Sequence, residues 1–406
     1  MNRVEAIEIT YGISRSIMEE IFRDLPIKSA PQLHTLRIGG CLPGYSGIVF
    51  SIGEDFLYDT ERLRCVELID CVIGWNSPLL TGLTRLTLEV TVEDSFKANS
   101  SINQFLHALQ RMPALTDLRL KDSIPDVSEG PSTYPVVDLP CLRVLNVSSS
   151  VGALTVVLYH ITFPDSAILD LTCKEKQSTY IDFSKFLSVL ATKFLSSLVF
   201  RSLSLKHQSY SLEFYLWTTA ISQDYFPSQI SQSQLRLVLA WPSSEPSNDT
   251  NFVEALTCVF DTISLPFLTH LRISTSDYID SPTWVKTFEK LPLLECVSVR
   301  GYTAHGFLEA LVYKTKIAEE SEIAYRNIPL PKLRYIYLEG TDFGSTISGS
   351  ISADMLSDCL MERCERGAEI QTLRLADCYY DISSYGVRVA RLKEIVVDVI
   401  WDGVKF

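Results

Sequence analysis

Apolar residues in this chain recur in a short fixed pattern behind proline. In Leu330-Pro331-Lys332-Leu333-Arg334-Tyr335-Ile336-Tyr337-Leu338-Glu339-Gly340, Pro331 fixes the backbone, and Leu333, Ile336 and Leu338 follow at relative positions 1, 4 and 6. That spacing predicts a short strand that buries alternate side chains behind a turn. The pattern Pro-x-Leu-x-x-aliphatic-x-aliphatic occurs six times, at Pro31–Ile38, Pro113–Leu120, Pro140–Val147, Pro266–Ile273, Pro292–Val299 and Pro331–Leu338. Roughly a tenth of one such match is expected by chance, so the recurrence is a repeat. Without the proline, the apolar triplet also fits Val4-Ile7-Ile9, Leu63-Val66-Leu68, Leu83-Leu86-Leu88, Ile168-Leu171-Cys173, Leu195-Leu198-Phe200, Leu235-Val238-Ala240, Ile370-Leu373-Leu375 and Leu392-Ile395-Val397.

Helical spacing appears between many of these strand candidates. Ile17, Ile21 and Leu25 predict a helix over Ser14–Leu25, ended by Pro26. Ile102, Phe105, Leu106 and Leu109 form one apolar stripe behind Ser100 or Ser101 as N-cap, and the helix runs directly into Pro113. Similar helices are expected at Phe183–Phe194, Phe252–Ile263, Thr283–Lys290, His305–Glu319 and Ala353–Arg366, the last ended by Gly367. Two Pro/Ser-rich stretches, Ser123–Pro135 and Trp241–Thr250, read as loops between units. The region from about Lys206 to Gln234 is the least legible: Tyr210, Phe214, Tyr215, Trp217, Tyr225 and Phe226 fit either an irregular unit or a pocket lining.

Length adds a constraint. With 406 residues, nearly half of them apolar, the chain exceeds one ordinary core yet shows no dividing linker. A solenoid resolves this, because each unit contacts only its neighbours and the core lengthens as units are added. The expectation is an α/β fold: a single irregular solenoid over residues 1–406, with parallel strands on the concave face and helices and loops on the convex face. An irregular unit or insertion is expected near 206–251, and a C-terminal cap over 392–406.

The net charge of −13 disfavours general binding to nucleic acid or to anionic membrane, both of which reward a basic face. No run of about 18 apolar residues is present, and Met1-Asn2-Arg3-Val4-Glu5 lacks the apolar core of a signal peptide. A cytoplasmic or nuclear protein, not a secreted one, is expected. The ten cysteines, Cys41, Cys65, Cys71, Cys141, Cys173, Cys258, Cys296, Cys359, Cys364 and Cys378, are dispersed and read as buried free thiols. Without a secretory signal, the glycosylation triplets at Asn99, Asn146 and Asn248 read as coincidences, and Asn146 falls inside a strand.

Extended by one position, the pattern Leu-x-x-Leu-x-Leu-x-x-Cys resembles the leucine-rich repeat. Leu33-Leu36-Ile38-Cys41, Leu63-Val66-Leu68-Cys71 and Ile370-Leu373-Leu375-Cys378 match through the closing cysteine, while Thr91, Ser123, Ser150, Ser276 and Thr341 stand there in other units; Tyr302 and Ile400 depart. Small weakly polar side chains at that point can bond neighbouring backbone as the chain leaves the strand. The irregular units, Leu-Pro-x-Leu sequences and acidic balance are similar to the repeat portion of fungal F-box proteins. That resemblance implies capture of a protein substrate for a cullin-type ubiquitin ligase. In that family a separate F-box docks the ligase adaptor. No clear F-box appears here, and Ile17–Pro26 reads as the helix of the first repeat or as an F-box remnant.

Catalytic patterns are absent at the level of spacing. Gly44-Tyr45-Ser46-Gly47 places its first glycine one residue too close to the serine for a nucleophile elbow. There is no phosphate-cradling loop and no His-Glu-x-x-His. His34, His107, His160, His207, His270 and His305 are scattered singly and read as structural or solvated. No enzyme activity, cofactor or metal is expected. The alternatives are a free-standing scaffold without a ligase link and, in a different class, an enzyme or GTPase-activating repeat protein.

Positions flanking the second and third apolar residues point away from the core. In the C-terminal units these include His270, Arg272, Arg300, Tyr335, Tyr337, Glu339 and Arg374, a candidate partner-binding patch for an acidic or phosphorylated protein segment. The N-terminal half sets Glu67, Glu89 and Asp117 against Arg37, Arg85 and Arg119, a less pointed mixture.

Overall fold

A computed structural model describes residues 3–10, 30–39, 50–53, 56–57, 60–91, 101–127, 133–175, 183–221, 233–242, 249–275, 277–318, 328–343, 353–378 and 385–402. The helix expected at Ser14–Leu25, and with it the F-box remnant reading, lies outside these residues, as do Cys41 and most of the Trp241–Thr250 loop. The chain divides into two compact units, one within 1–177 plus 192–194 and one within 178–191 plus 195–406. Each is a mixed α/β unit built on a mainly parallel sheet.

The first unit contains β1 (Ala6–Thr10), β2 (Thr35–Gly39), β3 (Phe50–Ile52), β4 (Cys65–Ile69), β5 (Cys71–Ile73), β6 (Arg85–Glu89), α1 (Ile102–Gln110) and β7 (Asp117–Lys121). It continues through β8 (Val137–Asp138), β9 (Val144–Ser150), α2 (Val151–His160), β10 (Ile161–Thr162) and β11 (Ile168–Lys174). Strands β1, β2, β4, β6, β7, β9 and β11 pair in that order, all parallel. The short pairs β3–β5 and β8–β10 form two minor sheets.

The second unit contains α3 (Ser184–Leu190), β12 (Ser202–Gln208), β13 (Ser211–Trp217), β14 (Leu235–Ala240), α4 (Asp249–Thr262), β15 (His270–Ser274), α5 (Ser281–Glu289) and β16 (Cys296–Arg300). It continues through α6 (Ala304–Ala318), β17 (Tyr335–Glu339), α7 (Ala353–Glu365), β18 (Thr372–Ala376), α8 (Tyr385–Ile395) and β19 (Asp398–Asp402). Here β14, β13 and β12 form an antiparallel meander, and β12 then pairs in parallel with β15, followed by β16, β17, β18 and β19.

The repeated proline has a defined place. The N–H of each first-position leucine donates to the carbonyl three residues earlier, as in Leu33 to Ala30 (2.9 Å), Leu115 to Met112 (3.1 Å), Leu142 to Leu139 (3.1 Å), Leu268 to Leu265 (3.1 Å), Leu294 to Leu291 (3.2 Å) and Leu333 to Leu330 (3.0 Å). Proline therefore occupies the second position of a β-turn, where its φ is already set and no N–H is needed. The second and third apolar residues follow one face of the strand: Leu36, Ile38, Leu118, Leu120, Leu271, Ile273, Ile336, Leu338, Leu373 and Leu375 are all at most 2% exposed.

Strand exits are equally regular. Asp70, Asp122 and Asp377, with Gly301 and Gly340, take left-handed backbone (φ between +51° and +82°) at the first residue past the strand. Glycine and aspartate are the types that tolerate this conformation best. The next residue turns inward: the Ser123 hydroxyl donates to the Leu88 carbonyl (3.3 Å) and the Cys378 thiol to the Leu338 carbonyl (3.5 Å), the same bond to the preceding strand, once in each unit.

Several expectations need correcting. Leu195-Leu198-Phe200 is not a strand: α3 runs into a π-helical turn over Ala191–Leu195, and the strand begins at Ser202. Leu392 and Ile395 lie in α8, and the last strand starts at Asp398. The strands are not uniformly parallel, because β12–β14 form the meander in the stretch that resisted reading. Not all the thiols are buried: Cys141 is exposed. Helix α2 was not foreseen.

Among the described residues no helix is long and apolar enough to cross a membrane.

Candidate functional site

The predicted patch residues fall on three adjacent rows of the second unit. Strand register aligns Tyr215, Ser204, Arg272, Ser298, Tyr337, Arg374 and Ile400 across β13, β12, β15, β16, β17, β18 and β19, with Arg236 of β14 opposite Tyr215. One row aligns Ser202, His270, Cys296, Tyr335, Thr372 and Asp398; the other aligns Glu213, Lys206, Ser274, Arg300, Glu339 and Ala376. Since all differ from the buried leucines by one strand position, they share the opposite face. Arg272 and Arg374 stand three strand spacings apart, about 14 Å.

Short side chains shape the surface between the long ones. Cys296 and Ser298 are 3% and 5% exposed although they sit on this face, short side chains between the longer ones of β15 and β17. That gap lets Arg272 reach across β16: its guanidinium lies 3.0 Å from one Glu339 oxygen, while Arg300 lies 3.7 Å from the other. Glu339 thus holds two of the arginines expected to meet an acidic partner. Arg272 is the more enclosed of the two, and Arg300 is the exposed one. His270 donates to or accepts from the Thr269 hydroxyl at 2.9 Å, and its burial pushes the imidazole pKa below its usual range.

A second cluster on the same face escaped the sequence reading. The Tyr215 hydroxyl donates to Glu213, the Arg236 Nε donates to Tyr215 Oη at 3.3 Å, and the Arg236 guanidinium stands 3.7 Å from Glu213 and 5.8 Å from the Tyr215 ring centroid. Burial, aided by the Glu213 carboxylate, raises the Tyr215 phenol pKa. Tyr215 packs with Trp217 and Ile221 in a small apolar cluster on this face, so β13 is covered on both sides. These residues lie on the antiparallel strands, off the repeat pattern; only the aromatic density of 210–226 hinted at them.

The first unit's face is a self-paired ladder. Arg37 sits between Glu8 (2.9 Å) and Glu67 (3.3 Å), Lys121 lies 3.8 Å from Glu89, and Asn146 donates to Asp170 at 3.1 Å. Such alternating pairs across strands satisfy most of the face internally, while Arg119 is exposed and in no ion pair among the described residues.

One histidine is neither lone nor solvated. His207, with a side chain 6% exposed, lies 2.6 Å from the Asp277 carboxylate and stacks on Phe252 and Trp241 at centroid distances of 4.5 and 5.8 Å. An imidazole–carboxylate pair is a common acid–base element. Here the flanking rings close over it, and it serves as a clamp between β12 and the 277–280 segment. Among the described residues no group of three or more His, Cys, Asp or Glu side chains could hold a metal ion.

No protein-family model matches the chain, and no curated protein matches its sequence.

Proposed function

We propose that the chain is a non-catalytic protein-interaction module of the leucine-rich-repeat type, whose partner binds the polar strand rows of the second unit. Its specific role, on the resemblance of its repeats to those of F-box proteins, is substrate recognition for a cullin-type ubiquitin ligase. The observation that carries the binding reading is the in-register row of Arg236, Tyr215, Arg272, Tyr337 and Arg374 on the face opposite the buried leucines. Tyrosine and arginine are the residue types that concentrate interface energy. The rows carry Lys206, Arg236, Arg272, Arg300 and Arg374 against Glu213, Glu339, Asp398 and Asp402, a positive excess of one on a chain of net charge −13. An acidic or phosphorylated segment fits that excess, and it would compete with Glu339 for Arg300 and Arg272.

The test is quantitative affinity purification from cells with the wild-type chain and with Arg236→Ala/Tyr337→Ala/Arg374→Ala. Proteins lost at least tenfold in the triple variant, with an unchanged melting temperature, identify ligands of this face. Identical recovery from both chains sinks the face as a partner surface. Recovery of the ligase adaptor from both chains supports the ligase role, and its reproducible absence removes that role while leaving the interaction module.

A further inference from the structure

The helical side of the second unit carries a groove of opposite chemistry. Gly306 helps set its shape: a Cβ there would stand 2.0 Å from the Ile279 carbonyl oxygen, so only glycine lets α6 lie against the 278–280 segment. The groove that runs from this segment between α6 and α7 encloses about 760 Å³, within the size range of sites that bury a ligand. Leu308, Val312 and Met355 supply apolar lining. Asp280 and Glu309 border one side, and Asp354, Asp358 and Glu362 recur every four residues along the facing side of α7.

Like charges four residues apart weaken a helix, so this stripe costs α7 stability. Compensation is partial. Arg391 lies 3.6 Å from Asp354 and 3.3 Å from Asp358, Arg366 lies 2.7 Å from Glu362, and His305 lies 3.9 Å from Glu309. Among the described residues, two arginines and a histidine thus answer five carboxylates, with the Tyr278 hydroxyl also on Glu309 and the Thr283 N–H on Asp280. A second, independent feature points to an occupant: Ser281, in the groove lining and 5% exposed, has a hydroxyl with no hydrogen-bond partner among the described residues. A buried hydroxyl left unpaired is costly unless a ligand or water completes it. The Tyr278 ring borders the same space and adds a face for a cation.

We propose that this groove docks a basic amphipathic segment of a partner protein. Its Leu, Ile or Met side chains lie on Leu308, Val312 and Met355, and its Lys or Arg side chains pair with Asp354, Asp358 and Glu309. A small cation alone would leave the apolar lining uncovered, and nucleic acid or anionic lipid carries the wrong charge. This site is independent of the strand rows and selects the opposite sign of partner.

The test is selection of random 16-residue peptides displayed on phage against the full chain, followed by fluorescence anisotropy with a synthesised enriched peptide. Enriched sequences are expected to combine Lys or Arg with Leu, Ile or Met. Binding is expected to weaken at least tenfold in Asp354→Asn/Asp358→Asn and to be unchanged in Glu254→Gln, a control on the exposed side of α4. Equal circular dichroism and melting temperature in the double variant separate lost docking from lost folding. Enrichment of neutral or acidic peptides only, retention of binding in the double variant, equal loss in the control, or displacement by spermine at the peptide's own concentration each overturns the proposal. Basic peptides lost with Tyr337→Ala instead belong to the strand rows and overturn it as well.

Discussion

Arg363 is 1% exposed, and among the described residues no carboxylate pairs with it. Its guanidinium donates to the carbonyl oxygens of Pro329 (2.7 Å) and Leu330 (2.9 Å). Burial lowers its pKa to about 10, so it remains a cation at neutral pH. Leu330 explains the placement: it holds φ +50°, a left-handed backbone that costs a non-glycine residue about 1–2 kcal/mol, in the turn that launches β17. Arg363 ties that strained turn to α7. Its mutation to methionine preserves most of the volume but leaves the Pro329 carbonyl buried without a donor. A loss of about 1–3 kcal/mol in unfolding free energy is expected from the urea midpoint at constant slope. An unchanged midpoint would mean that water takes over the two carbonyls. Nothing in Leu330-Pro331 or in the Ala353–Arg366 periodicity announces this contact, because a 33-residue separation leaves no local pattern.

At the scale of elements, α1 shows how much of a boundary rests on one side chain. Ser101 accepts from the Gln104 N–H at 3.3 Å while the Gln104 side chain accepts from the Ser101 N–H at 3.1 Å, a reciprocal capping box. Ser101→Ala is expected to cost about 1 kcal/mol in thermal unfolding. The strands most legible in the sequence are those behind a proline turn, because the turn and the alternation specify the same register. The triplets that misled, Leu195-Leu198-Phe200 and Leu392-Ile395-Val397, have no proline turn ahead of them, so only the spacing of three between their first two members, shared by every unit, spoke for a strand. That spacing also fits a helical turn, and there the helix won. The β12–β14 meander stayed hidden for another reason. Its first turn passes through Ser209 at φ +47°, without the Gly or Asn that usually marks a left-handed position, and Tyr215, Leu216 and Trp217 bury both faces so that alternation disappears. The candidate site divides the same way: Arg272, Tyr337 and Arg374 were readable from repeat register, whereas Arg236, Tyr215 and the α7 acidic groove required the fold.

For the molecule as a whole, stability is linked to pH through histidines whose pKa values burial lowers. His270 on the candidate face and His160 at the end of α2 both have pKa values pushed below the ordinary value near 6.5, by burial first, with Lys193 adding to the effect at His160 and Glu295 opposing it at His270. The unfolded chain therefore takes up these protons at a higher pH than the folded one. Their contribution is intact above pH about 7 and is lost as pH falls through 6.5 toward the lower folded-state values. His270→Gln keeps a side chain that can bond Thr269 but cannot charge. Between pH 7.5 and 5.5 the wild type is expected to lose more unfolding free energy than His270→Gln, measured by urea titration at each pH. Equal losses would place the titration elsewhere. If an acidic partner binds the strand rows, protonating His270 at lower pH adds positive charge beside Arg272 and Arg300. Affinity for that partner should then rise over the same interval in which the free protein weakens, and the rise should vanish in His270→Gln.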